Sequence, residues 1–276
     1  MKLFYIIRLF SLDIVAGALA ALVFAASVME IELKLSYYLI MALTVWLIYT
    51  ADHLMDGAKT RGKSGSETAN FFHTYKIPVI LVFLIVLVLD FRLIVYILDE
   101  KIVQFGMGPG IAAVIYLLMN RYYDGAQKWL FIKELWVAII YTLAIWGGPV
   151  IFGGDTVNAL QMMVIASFGL IVLGNVLIYS IYERESDIRD NNKSIVRDLG
   201  LTAAVNVATL VLTISMLTAL TAYMLLDASL TIILPLLLIS ASMLLILSFP
   251  GIFSKGKRYG IFADLALLLF LLVLIG

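Results

Sequence analysis

Residues 35–61 read LSYYLIMALTVWLIYTADHLMDGAKTR. The stretch opens as a strongly apolar run of the kind that enters a bilayer. It then sets down two carboxylates, Asp52 and Asp56, four residues apart, followed by Gly57, Lys59 and Arg61. On a helix, positions i and i+4 face the same way. The segment therefore reads as a membrane helix with two like charges on one face of its polar end.

The rest of the chain has the same character. Of its 276 residues, 63% are hydrophobic and 14% are charged, against about 25% charged in a soluble domain. One soluble core cannot hide that much apolar surface, so the class is an integral membrane protein. Long Leu, Ile and Val runs replace the alternation of a barrel strand, which selects helices. The absence of cysteine excludes disulfides, thiolate zinc sites and cysteine nucleophiles. A net charge of zero offers no field to draw in nucleic acid.

Nine apolar segments can be laid out at residues 10–29, 35–56, 77 to between 89 and 98, 102–120, 133–152, 159–182, 195–223, 228–249 and 259–276. The first is read as a retained helix rather than a leader. Asp90 and Arg92 interrupt the third; they pair with each other or mark its outer boundary. Cationic residues favour the cytoplasmic side. With the N-terminus inside, all of the 19 Lys and Arg except Lys34, Arg92 and Lys101 fall on the inner side. The polar loops 57–76, 121–132, 183–194 and 250–258 are also inner, while outer links such as GGDT at 153–156 are short. The expected topology is N-in and C-out, with the inner face as the working face.

A second acidic cluster, YERESDIRDNNKS, follows the sixth segment. Glu183 and Asp187 repeat the four-residue spacing, with Glu185 and Asp190 nearby. Like charges on one helix face repel and are poorly solvated beside a membrane. Two such pairs suggest a shared counter-charge, and a hard divalent cation suits oxygen ligands. Mg²⁺ is typically held by one or two carboxylates and a substrate's phosphates, and the inner loops supply Lys and Arg for an anionic group. The other reading is a pair of solvated caps at wet helix ends. The residues alone leave both open.

The helix plan and both acidic clusters resemble the UbiA superfamily of intramembrane prenyltransferases, which has nine transmembrane helices and acidic motifs at the cytoplasmic ends of helices two and six. In ERESDIRDNNKSIVRDLG, the residues Glu183, Arg184, Glu185, Asp187, Lys193, Ser194 and Gly200 fall in step with the family's second motif. Asp52, Asp56 and Gly57 resemble its first, and YLLMNRYY at 116–123 resembles its Tyr-rich basic stretch through Tyr116 and Arg121. Ile48 stands where the family usually has Asn, no Arg-Pro pair follows the first motif, and Glu183 replaces the commoner Asp.

The resemblance implies a single prenyltransferase domain over residues 1–276. Asp52, Asp56, Glu183 and Asp187 would be the catalytic, metal-holding set for two Mg²⁺ on a polyprenyl diphosphate. Arg121, Lys128 and Lys193 would bind its oxygens, with Arg61 a further candidate. Tyr116, Tyr179 and Tyr182 would face the allylic cation through their π-systems. The acceptor would be hydrophobic, of aromatic or quinone type, and the site would open to lipid on the cytoplasmic face, of the inner membrane in a bacterium. The alternatives are a catalytically silent UbiA-like binding or assembly protein, or a small-solute transporter. A transporter's ionisable residues belong near the midplane, whereas these gather at one face. DGAKTR at 56–61 also echoes the core of the CDP-alcohol phosphotransferases, but His53 stands where that motif needs Asp.

Other residues carry weaker expectations. His53 should be an interfacial hydrogen bonder, and His73 should sit in a lid-like loop. Asp13, Glu134 and Asp264 should be interfacial. Asn175 should make an interhelix hydrogen bond. Gly106, Gly108 and Gly110 around Pro109 should mark a break or a close helix approach.

Overall fold

The computed structural model describes residues 2–122, 131–154, 156–190, 192 and 194–275, with residues 2–5, 120–122 and 131–132 described by backbone alone. The elements are α1 (Lys2–Leu9), α2 (Leu12–Val28), α3 (Leu35–Thr60), α4 (Glu67–Thr74), α5 (Lys76–Ile97), α6 (Glu100–Tyr122) and α7 (Phe131–Phe152). They continue with α8 (Ala159–Tyr182), α9 (Arg184–Arg189), α10 (Ile195–Leu199), α11 (Leu201–Leu225), α12 (Leu230–Ser248), α13 (Pro250–Phe253) and α14 (Arg258–Leu267). Short 3₁₀ turns cover Lys255–Lys257 and Leu268–Ile275. There is no strand among the described residues.

Among the described residues, eight helices are long and apolar enough to cross a membrane, and α2, with 17 residues, is a shorter apolar helix. Their outward faces agree with that role. On α5, Ile77, Leu81, Ile85 and Val88 are all exposed. Water would not tolerate so long an apolar face on a monomer; lipid does. The chain is an all-α polytopic membrane protein.

The helices group into two compact units. One comprises Met1–Leu19, Leu33–Ala126 and Glu185–Asn192. Within it, Phe72 of α4 is fully buried and packs against Phe10, Phe71 and the His53 ring of α3. The interruption expected at Asp90 does not occur. α5 runs straight through it, and Asp90 is only 3% exposed. Its Oδ2 accepts from Thr44 Oγ1 of α3 at 2.9 Å, while Arg92 faces outward. Two residues apart on a helix, the pair point in different directions and do not meet. α6 likewise continues through Pro109. Neither the break nor the close approach expected there is found, because a side chain at Gly106, Gly108 or Gly110 would meet open space.

The other unit comprises Ala20–Glu32, Gln127–Arg184 and Lys193–Gly276. α8 is its centre, packed by α7, α11 and α12. Lipid is as apolar as leucine, so van der Waals fit and hydrogen bonds replace the hydrophobic effect between such helices. Both are present. Phe24, Trp146, Phe168 and Phe270 form an aromatic cluster. Ser167, Ser215 and Ser240 join α8, α11 and α12 through buried hydroxyls.

The seventh segment is not one helix. Gly200, at φ +83°, separates α10 from α11, because a glycine reaches that backbone region without steric cost. The ninth segment ends as 3₁₀ turns from Leu268. An interhelix bond is expected of Asn175, but its Oδ1 is buried with no partner among the described residues.

Candidate active site

The first acidic motif rides on α3, which runs one turn beyond the expected end and closes at Arg61 in a left-handed C-cap. Asp52 and Asp56 are both half-buried on this helix, and helical geometry sets them one turn apart on one side. His53, between them, hydrogen-bonds Ser11 Oγ at 3.0 Å and lies against Phe72. Gly57 has a packing reason to follow Asp56. A Cβ there would lie 2.6 Å from Ala69 O and 3.0 Å from His73 N, both backbone atoms of α4. Only glycine lets α4 press so closely on the helix that carries the motif.

The turn between α3 and α4 is fastened to the second motif's distal part, residues 185–192, in the same unit. Asp190 accepts from the Gly65 N–H at 2.9 Å and from the Ser64 hydroxyl. Lys59 Nζ donates to Asn192 Oδ1 at 2.8 Å. The guanidinium of Arg189 lies over Gly65. Asp187, half-buried in α9, is thus on a segment tied directly to the end of α3.

Glu183 and Asp187 do not share a continuous helix face. α8 stops at Tyr182, Glu183 is its C-cap, and Asp187 belongs to the separate α9. The four-residue spacing held in sequence but not in helical register, because the chain turns at the cap. Glu183 is held instead by a tyrosine cluster. Tyr259 of α14 donates to Glu183 Oε1 at 3.0 Å. The Tyr259 ring stacks on Tyr182, with centroids 4.6 Å apart and planes 11° apart, and meets Tyr179 edge-on. Tyr182 donates to Ile246 O, and Tyr179 to Asp264 Oδ2. One π-face of Tyr182 is therefore covered by Tyr259.

Asp264 and Glu134 are buried within the protein. They are 5% and 1% exposed and hydrogen-bonded inside the protein. A buried carboxylate needs donors, and distant segments supply them. Tyr116 is half-buried on α6. Arg121 lies in the last turn of α6 with its side chain outside the described residues, and Lys128 and Lys193 lie outside them altogether. Sequence reasoning missed Tyr259 and the Lys59–Asn192 bond, and named Asp190 only as a neighbour of the acidic pair. The only sign of Tyr259 was a tyrosine opening the last apolar segment, after the basic KGKR.

Among the described residues, no three His, Asp or Glu side chains are gathered as a metal site by themselves. Each of the expected carboxylates is, taken singly, the type of donor that Mg²⁺ accepts. Asp52, Asp56, Glu183 and Asp187 are all hard oxygen donors, and Mg²⁺ commonly takes only one or two protein carboxylates, keeping water and phosphate for the rest.

No protein-family model matches the sequence, and no curated protein matches it at a significant level. Solved structures do match its fold. A UbiA homologue from Aeropyrum pernix K1, in its apo form, aligns over 96% of this chain and 98% of its own, with TM-score 0.71 and 14% identity. A UbiA homologue from Archaeoglobus fulgidus, bound to DMAPP and Mg²⁺, aligns over 98% of both chains, with TM-score 0.68 and 16% identity. A digeranylgeranylglyceryl phosphate synthase aligns over 97% of this chain and 93% of its own, with TM-score 0.56 and 15% identity. Over nearly its whole length, the chain has the fold of the UbiA homologues.

Proposed function

We propose that this protein transfers a prenyl group from a polyprenyl diphosphate to a lipophilic acceptor inside the membrane, with Mg²⁺ as cofactor and residues 1–276 acting as one prenyltransferase domain. The observation that carries this reading is the fastening of the second acidic segment to the first: Asp190 on Ser64 and Gly65, and Lys59 on Asn192. Sequence-distant carboxylate motifs are stitched together where a solvated cap would need no such bonds. The likeness to a fold that in one homologue binds DMAPP and Mg²⁺ supports it.

In this reading Asp52, Asp56, Glu183 and Asp187 hold the metal. Mg²⁺ held there would supply positive charge to the diphosphate oxygens; the allylic C–O bond breaks and its electron pair leaves with the diphosphate. Arg121, Lys128 and Lys193 bind the same oxygens. Tyr116 and Tyr182 present aromatic faces to the cation. The acceptor forms the new bond to carbon and gives up a proton. Its proposed class is aromatic or quinone-type, and the cationic loops support a site on the cytoplasmic face. The test is Mg²⁺-dependent release of diphosphate by the purified protein with an acceptor panel. Ile48 and the missing Arg-Pro pair favour a second reading, a UbiA-like binding protein without turnover, which predicts analogue binding but no release.

A further inference from the structure

Glu134 lies in the first turn of α7 and is 1% exposed. One oxygen, Oε1, accepts two hydrogen bonds. One comes from Ser180 Oγ at 2.9 Å, in the last turn of α8. The other comes from the backbone N–H of Ile195 at 3.0 Å, the first residue of α10. Those two donors bracket the second acidic motif. Because they share one acceptor, they lie no farther apart than the two bond lengths together. The chain between them, residues 181–194, carries Glu183 and Asp187 and is closed at its base like an Ω-loop.

The arrangement is unusual in its parts. Ser194 holds the N-cap position of α10, yet its hydroxyl makes no cap bond. A carboxylate from another helix supplies the acceptor for the first amide instead, one of those a helix leaves unsatisfied. Oε2 of Glu134 and Oγ of Ser194 are both buried without a partner among the described residues. Deeper in this unit, α8, α11 and α12 are joined through serine hydroxyls, at Ser167, Ser215 and Ser240. A buried carboxylate costs more to place in a membrane than a hydroxyl. What it adds here is an oxygen that takes two donors from the two ends of one loop.

We infer that Glu134 is a positioning residue for the second acidic motif, pinning together the two ends, Ser180 and Ile195, of the segment that carries it. The role depends on an acceptor oxygen and not on charge. Its link to metal and diphosphate rests on the prenyltransferase reading; the loop closure does not.

The test follows amide hydrogen exchange over residues 181–195 in the full-length protein in detergent, for wild type, Glu134→Gln, Glu134→Ala and Ser180→Ala. Glutamine keeps an amide oxygen where Oε1 lies. Expected are exchange within about threefold of wild type for the glutamine variant, and at least about tenfold faster exchange for the alanine variant, the loss of a buried bond. Should Glu134→Ala not fold, Ser180→Ala removes one pin and should still speed exchange by a few-fold. In parallel, diphosphate release is titrated with Mg²⁺. Glu134→Ala should need several-fold more Mg²⁺ for half-maximal rate, with little change at saturation, and Glu134→Gln should restore the wild-type requirement. Unchanged exchange in Glu134→Ala and Ser180→Ala, or a glutamine variant as open as the alanine one, overturns the inference. A wild type with no turnover but the expected exchange pattern keeps the clamp and removes the prenyltransferase reading.

Discussion

Tyr259 and Glu183 are 76 residues apart in sequence, yet the Tyr259 hydroxyl donates to Glu183 Oε1 at 3.0 Å. The tyrosine is itself fixed, its ring stacked on Tyr182 and met edge-on by Tyr179. Tyr259→Phe keeps the stack and removes only the donor. A hydrogen bond to a carboxylate is worth about 1.5–3 kcal/mol, so Mg²⁺-dependent binding of a prenyl diphosphate analogue should weaken by about tenfold, with the melting temperature nearly unchanged. Calorimetry on the detergent-solubilised variant checks both.

Gly57 bears on the other motif. A Cβ there runs into Ala69 O and His73 N, and neither backbone atom can move without moving α4. Alanine would gain about 1 kcal/mol of helix propensity, against about 1–3 kcal/mol for overpacking. Gly57→Ala should therefore lower the melting temperature, and Gly57→Leu should lower it much further. A thermal scan of the purified variants gives the answer.

Asp190 accepts from two groups in the turn after α3. Asp190→Ala leaves that turn without its acceptor, so residues 61–66 should open. Limited proteolysis at Arg61 and Lys63 should accelerate by about tenfold, as expected for the loss of bonds to a carboxylate. Asp190→Asn keeps an acceptor oxygen and should stay close to wild type.

Within the apolar part of α3 and α5, Thr44 is the described donor to the buried Asp90. Thr44→Val leaves Asp90 without that bond in a region where unpaired polar groups are costly. A loss of about 1–2 kcal/mol is expected on the scale of interhelix bonds in membranes, and Thr44→Ser should recover most of it. Thermal stability of the two variants side by side is the measurement.

The apolar helices were legible because twenty or so apolar residues have few other stable uses, and α8 was read to the residue. Asp52 and Asp56 were legible because a helix has a fixed period. The second pair was not, because Glu183 caps α8 and the chain turns before Asp187. Gly200 was hidden inside an apolar run, where hydropathy continues across a backbone break. Glu134 and Asp264 read as interfacial residues, and Asp90 as either a partner of Arg92 or a boundary. Their donors come from Ser180, Tyr179 and Thr44 on other helices, and no local pattern announces a partner that far along the chain.

The most direct test of the central claim is equilibrium binding of a non-ionisable prenyl diphosphate analogue to the purified protein, with Mg²⁺ and with chelator. Wild type is measured beside Asp52→Asn and Asp187→Asn, one from each motif. The account predicts binding that needs Mg²⁺ and falls at least about a hundredfold in both variants, since each removes a charged ligand to the metal. Binding that ignores chelator and survives both substitutions would contradict it.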